Sequence, residues 1–325
     1  MISSDQLNEL ENTIKSLYTS GNNEQQQEIL QTWFKNPEYF SLTKYIIEKC
    51  IPESSTPKIM LTHFAIRSCC SLLDYVCPTW SDQDFINMSQ WCLNIFMNEI
   101  NHFVLVPLLM QAFCNLYAQL VVFGWHVSSE FQDFTSFINF GCTKDKTDGS
   151  LSTQSELFWE HILCGSAAQW CGRIRLYTAI VEKMTFIHNI KTTQVDKFKE
   201  EPLFQCFDFA VRTLDILLHK QYPPQYSQDE IFILIEYSLQ LLNACLSFDD
   251  DSIHNDNIET TKIVLPPSWS SYKKFTQIVD CLFQLYELAP PNLQREFLKV
   301  LFLFSSIQSS LIIPHEIQYA EPFFS

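Results

Sequence analysis

The chain has 325 residues, enough for one large core or several small ones. Apolar residues make up 46% and charged residues 18%, which excludes a disordered chain. The 6 glycines argue against nucleotide-binding α/β folds, which need Gly at their phosphate loops, and the formal charge of -16 disfavours nucleic acid and anionic membranes as partners.

Helix signals begin at once. Ser4 caps a predicted helix with apolar residues at Leu7, Leu10, Ile14 and Leu17, and Gly21-Asn22-Asn23 ends it. A second helix spans about Glu24 to Lys35 with Ile29, Leu30, Trp33 and Phe34. Asn36-Pro37 then supplies a cap and a first-turn proline for a third helix, which runs to about Cys50 with Leu42, Tyr45 and Ile46 inward. Thr56-Pro57 starts a helix of about twenty residues through Ile59, Phe64, Cys69, Leu72, Leu73 and Val76, and Pro78 stops it. Ser81 to Asp84 forms a capping box with Asp where Glu is usual, and Phe85, Ile86, Cys92, Ile95 and Phe96 follow at helical spacing.

After a break near Glu99–Asn101 comes the least polar stretch, Asn101 to Trp125. It is uncharged from Phe103 to Phe123 and long enough for a bilayer. Gln111, Asn115 and Gln119 recur every fourth residue, however, so on a helix they make one polar stripe. Amides on one face are costly in lipid, and the flanks lack a basic cluster, so we expect no membrane insertion. The reading is a helix packed by protein on most sides with one polar edge. Pro107 marks either its true start or a kink.

Residues 126–150 read as an inserted surface loop, with Phe131, Phe134, Phe137 and Ile138 preceding the polar GCTKDKTDGS. Thr153 to Glu156 is a capping box opening a helix through Leu157, Phe158, His161 and Ile162 towards Ala168. Its partner spans about Gly172 to His188. KTTQVDKFKEE reads as a connector, followed by a helix from Pro202 to about Lys220. Another capping box, Ser227 to Glu230, opens a helix to about Leu246. FDDDSIHNDNIETT is an acidic loop, and Ile263 to Pro267 reads as extended. Ser271–Leu288 and Pro291 to about Phe304 form a last pair before a tail at 313–325.

The expected fold is all-α. About a dozen helices fall into antiparallel pairs whose starts lie roughly 33 to 48 residues apart, the spacing of HEAT-type repeats. Stacked pairs cover each helix on several sides and leave one edge open, which accounts for Asn101–Trp125. A single helical globular domain is the alternative architecture.

Enzymatic signals are weak. There is no Gly-rich phosphate loop and no HExxH. His161 and Cys164 make at most half a metal site, and a core or rim histidine is the simpler reading. Cys69-Cys70 and Cys164 with Cys171 lack a neighbouring base in sequence. Asp249 to Asp251 with Asp256 lacks the spacing and Gly of an EF-hand and fits a solvated loop. The 12 cysteines include no CxxC pair. Cys50, Cys69, Cys92, Cys114, Cys164, Cys206, Cys245 and Cys281 all fall in apolar helical patterns, where they act as small hydrophobes. MISSDQLNELE has no basic region followed by an apolar run, so the expectation is reduced thiols in cytosol or nucleus.

Four segments carry a family resemblance. Leu116–Trp125, LYAQLVVFGW, resembles the Leu-Tyr-Ala-Arg…Leu-Gly-Trp segment of exportin-7 type karyopherins. Phe198–Phe204, FKEEPLF, resembles that family's Phe-Arg-Asp-Ser-Ser-Leu-Phe. Asn243–Asp249, NACLSFD, resembles Asn-Cys-Leu-Asn-Phe-Asp, and Ile263–Trp269, IVLPPSW, resembles Ile-Pro-Thr-Ser-Trp. They occur in family order, and the helices with Pro290-Pro291 follow in place. The resemblance implies a nuclear transport receptor of the importin-β superfamily, a right-handed superhelical arch of HEAT repeats. On that pattern residues 1–125 form repeats one to three, of the Ran-binding type, and 151–312 form repeats four to six.

The implied partners are Ran in its GTP form, protein cargo and Phe-Gly nucleoporins, with shuttling between nucleus and cytoplasm through the nuclear pore. No cofactor, metal or catalytic residue is implied. The inner helices would present Arg67, Ser71, Gln111, Asn115 and Gln119 to Ran. This chain has Gln119 where the family has Arg, Val122 where it has Lys, and Ser71 where it tends to have Lys. Read without the resemblance, the same amides are either a contact row or buried groups satisfied by neighbouring helices. A HEAT-like scaffold unrelated to Ran is the alternative function, and a metal- or thiol-dependent helical enzyme a third.

Overall fold

Prolines and short polar side chains set where the helices start, and the observed elements follow them. The computed structural model describes residues 10–16, 24–127, 131, 134, 135, 138, 165–185, 192–248, 263, 265, 266, 269 and 275–307. The described residues are helices and connections without a strand, and one isolated bridge pairs Ile263 with Ile307. The expected Ser4 cap, the GCTKDKTDGS loop, the Thr153–Glu156 box, His161, Cys164, Asp249 to Asp251, Asp256 and the tail lie outside the described residues. The chain divides into two compact units, Met1–Gly149 and Ser150–Ser325.

In the first unit, residues 10–16 are helical and bury Leu10 and Ile14. Then come α1 (Glu24–Lys35), α2 (Phe40–Cys50), α3 (Thr56–Val76), α4 (Asp82–Asn98), α5 (Ile100–Leu105) and α6 (Pro107–Val127). Ser81 and Asp84 complete the capping box reciprocally: Ser81 N–H donates to Asp84 Oδ2 at 2.8 Å and Asp84 N–H to Ser81 Oγ at 3.4 Å. Pro107 resolves as a helix start. Val106 before it takes φ -125° and ψ 81°, the extended-side geometry that a following proline enforces, so Asn101–Trp125 is two helices rather than one.

Helix α3 packs along α2 and α6 and also meets α1, while α4 packs along α6. This leaves α1, α3 and α6 as one row and α2 with α4 as a second. The second row is tied by Trp91, whose Nε1 donates to Glu48 at 2.6 Å beneath the Lys44 ammonium, 4.6 Å from the ring centre. The core is aromatic: Phe96, Phe103 and Phe113 meet with centroids 5.0–5.6 Å apart, and the buried Ser89 and Tyr117 hydroxyls bond at 3.1 Å. A buried Leu or Phe stabilises by about 1.5–3 kcal/mol. The dense apolar run of α6 is therefore explained by burial inside the unit. Pro107–Trp125 is long and apolar enough to cross a membrane by length and composition, yet most of it is buried by protein.

Tyr45, expected inward, is 42% exposed. Helix α2 buries Thr43, Ile46, Ile47 and Cys50 instead, which turns Tyr45 to the flank beneath Lys49.

The second unit contains α7 (Ala167–Thr185), α8 (Thr192–Glu200), α9 (Pro202–Leu218), α10 (Gln228–Leu246), α11 (Phe275–Leu288) and α12 (Pro291–Ser305). Helix α10 packs against α7, α9 and α12, while α11 covers α9 and α12. The row α7, α10, α12 thus faces α9 and α11. Trp170 ties α7 to α9 by donating to Thr213 Oγ1 at 3.1 Å. Ser227 and Glu230 form the expected capping box on α10.

Two expectations fail in this unit. The connector KTTQVDKFKEE is helical as α8, because tertiary anchors hold it: Phe198 is fully buried against Phe248, and Trp269 Nε1 donates to the Lys199 carbonyl at 3.1 Å. Helix α7 starts at Ala167, not near Gly172. Ser166 Oγ accepts from Gln169 N–H at 3.2 Å while Gln169 Oε1 accepts from Ser166 N–H at 3.3 Å, a capping box that sets the earlier start.

Candidate interaction surface

The row α1, α3, α6 exposes one edge of α6. Gln111 and Asn115 are exposed and Gln119 is half-exposed, while residues on the other sides of the helix, from Leu116 and Tyr117 to Leu120 and Val121, are buried. Gln111 and Asn115 are therefore surface groups, whereas Gln119 is half-buried and meets the neighbouring helix. Leu108, 50% exposed, continues the row at its N-terminal end.

Two bonds fix the register of α6 on α3. Gln119 Nε2 donates to Asp74 Oδ1 at 3.4 Å, and Cys70 Sγ lies 4.0 Å from the Asn115 carbonyl oxygen. Both join residues 45 apart in sequence and lie one turn apart, so the helices run parallel. That register brings Arg67 to within one residue of the level of Gln111, and Ser71, next to Cys70, to within one residue of the level of Asn115. All five residues named from the sequence thus share one surface: Arg67 is exposed and Ser71 half-buried on α3, next to the three amides of α6.

Sequence reasoning missed Asp74. It lies on the same face of α3 as Arg67, and its carboxylate is the group that Gln119 meets. Its signal was available as the spacing of seven residues from Arg67, but a single acid at a helix end looks like an ordinary solvated charge. His63, one turn before Arg67, is largely buried. Burial, and secondarily the Arg67 guanidinium, hold its imidazole below the ordinary range, so it is neutral at neutral pH. The departure at Val122 also gains a location: it is 7% exposed, so this position offers a partner almost nothing.

The second unit has a smaller polar contact of the same kind on α7 and α10. Arg175 Nη1 donates to Gln240 Oε1 at 3.0 Å with its guanidinium 5.1 Å from the Tyr237 ring centre, and Gln240 donates on to Glu236 at 3.2 Å. Sequence reading missed this too.

Burial pushes Cys77, Cys171 and Cys281 up to about 12, and raises Cys69, Cys92, Cys206 and Cys245 as well. Such groups are protonated and poorly nucleophilic at neutral pH. Among the described residues, no group of three or more His, Cys, Asp or Glu side chains is placed to hold a metal ion. No protein-family model, curated protein or solved structure matches the chain.

Proposed function

We propose that the chain is the N-terminal portion of a nuclear export receptor of the exportin-7 type, built as a HEAT-repeat solenoid. On this reading the helix pairs of both units are successive repeats of a right-handed arch, and α1, α3 and α6 are the inner helices of the first three. The inner helices bind Ran in its GTP form, with no chemistry of the chain's own. Protein cargo sits further along the arch, Phe-Gly nucleoporins dock between outer helices, and the protein shuttles through the nuclear pore. The observation that carries the reading is the parallel α3–α6 face. It presents Arg67, Ser71, Gln111, Asn115 and Gln119 together, at the place where the segment resembling the family's Leu-Tyr-Ala-Arg…Leu-Gly-Trp lies. Immobilised chain is to be challenged with Ran locked in each nucleotide state. Retention of the GTP form alone supports the reading; equal or absent retention of both overturns it.

A second reading is a HEAT-like scaffold for a partner other than Ran. It is favoured by the neutral residues on the surface row, Ser71 and Gln119, where the family carries basic side chains. Its signature is an unrelated partner that stays bound to a Gln111→Ala, Asn115→Ala, Gln119→Ala triple variant, with no Ran binding in either state.

A further inference from the structure

Arg67 and Asp74 lie seven residues apart on α3. Two helical turns separate them by about 10 Å on one face. Both are exposed, and the ion pairs that the described residues form, such as Lys58–Glu11 and Arg212–Asp208, lie elsewhere. Among the described residues Asp74 accepts one long bond, from Gln119, which leaves acceptor capacity for a partner. On α3 and the facing edge of α6 the exposed and half-exposed groups at this level include the uncharged Ser71, Gln111, Asn115 and Gln119. In a chain of net charge -16, this strip is electrically balanced and polarised, positive at Arg67 and negative at Asp74.

We propose that the strip is a charge ruler for a helix of a partner protein. The matching helix presents an acidic side chain to Arg67 and a basic one, arginine by preference, to Asp74, seven residues apart on its own surface. Equal helical rise on both sides lets the two pairs close together. An arginine suits Asp74 because its fork can take both carboxylate oxygens. The amides between them are donors and acceptors at once, so they accept polar side chains of either kind without selecting charge. Specificity then comes from the spacing and polarity of the two charges, as electrostatic complementarity generally provides. The inference rests on the strip being the contact surface proposed above, but not on Ran being the partner.

The test uses the full chain and two synthetic helical peptides of about 16 residues. One carries Glu and Arg seven apart; its twin carries Gln at both positions. Amide resonances of the chain are followed as each peptide is added. The charged peptide is expected to shift Arg67, Ser71, Asp74, Asn115 and Gln119, and to bind about five-fold more tightly than the twin at low salt. That advantage is expected to vanish in about 0.5 M salt and in the Arg67→Gln, Asp74→Asn double variant. Equal affinity for the two peptides, shifts mapped to another face, or an advantage surviving in the double variant would overturn the ruler. Loss of Ran binding with the peptide preference intact removes Ran as partner and keeps the ruler. Ran-GTP binding with no peptide preference removes the ruler and keeps Ran.

Discussion

Gly124 and Lys220 show what single residues decide here. A Cβ built on Gly124 would collide with Cδ1 of Phe131, whose ring is fully buried. Gly124→Ala is expected to destabilise the first unit by about 1–3 kcal/mol in urea unfolding, the cost of overpacking. Adding Phe131→Ala should return part of that loss, and purely additive effects would contradict the contact. Lys220 has φ 54° and closes α9 with Gln221 N–H donating to Ile216 O at 2.9 Å, a helix end that favours Gly. Lys220→Gly is expected to stabilise by about 1 kcal/mol, read as a higher urea midpoint at unchanged slope. Legibility at this scale was uneven. Gln111, Asn115 and Gln119 were readable because every fourth residue shares a helix face. Asp74 was not, because its meaning depends on which residue of α6 comes to lie beside it. Tyr45 was misplaced because a short helix with many apolar residues has more than one plausible inner face.

Helix starts were the most legible elements, because capping chemistry is local. Ser81 with Asp84 and Ser227 with Glu230 act within four residues, and both boxes are formed. Ser227→Ala is expected to cost about 1 kcal/mol, measured by thermal unfolding, whereas Ser227→Asp keeps most of the cap. An equal loss in both variants would argue that packing, not capping, sets the α10 start. Helix α8 shows the opposite case. Its sequence is mostly polar, and it is held by Phe198, Phe248 and Trp269, the last of which comes 70 residues after the carbonyl it bonds. No local pattern encodes such an anchor. The Asn101–Trp125 stretch lies between these cases: its apolar run signalled burial, while only the backbone at Val106 decided that Pro107 begins a new helix.

For the molecule as a whole, paired helices were legible because the apolar spacing repeats along the chain. The neighbours of each helix were not, since they follow from register and contact. The buried thiols give a global pH signature. Each has a folded pKa raised above its ordinary 9.0, so the protonated form is favoured in the folded state. Their stabilisation is fully present below pH 9, and falls as the pH rises towards about 12, because the unfolded thiols ionise first. Each such thiol contributes at most about 1.4 kcal/mol per pH unit over that window. Urea midpoints measured from pH 7 upward should therefore drop from about pH 9. A midpoint that holds or rises there would contradict burial of these cysteines.

In the proposed receptor, the α3–α6 face meets Ran in a nucleotide-dependent way. Hydrogen exchange of the full chain, alone and with Ran in each nucleotide state, is the decisive measurement for that contact. Added protection is expected in peptides covering Arg67–Asp74 and Gln111–Gln119 with the GTP form only. Protection confined to other helices, or equal with GDP, would contradict it.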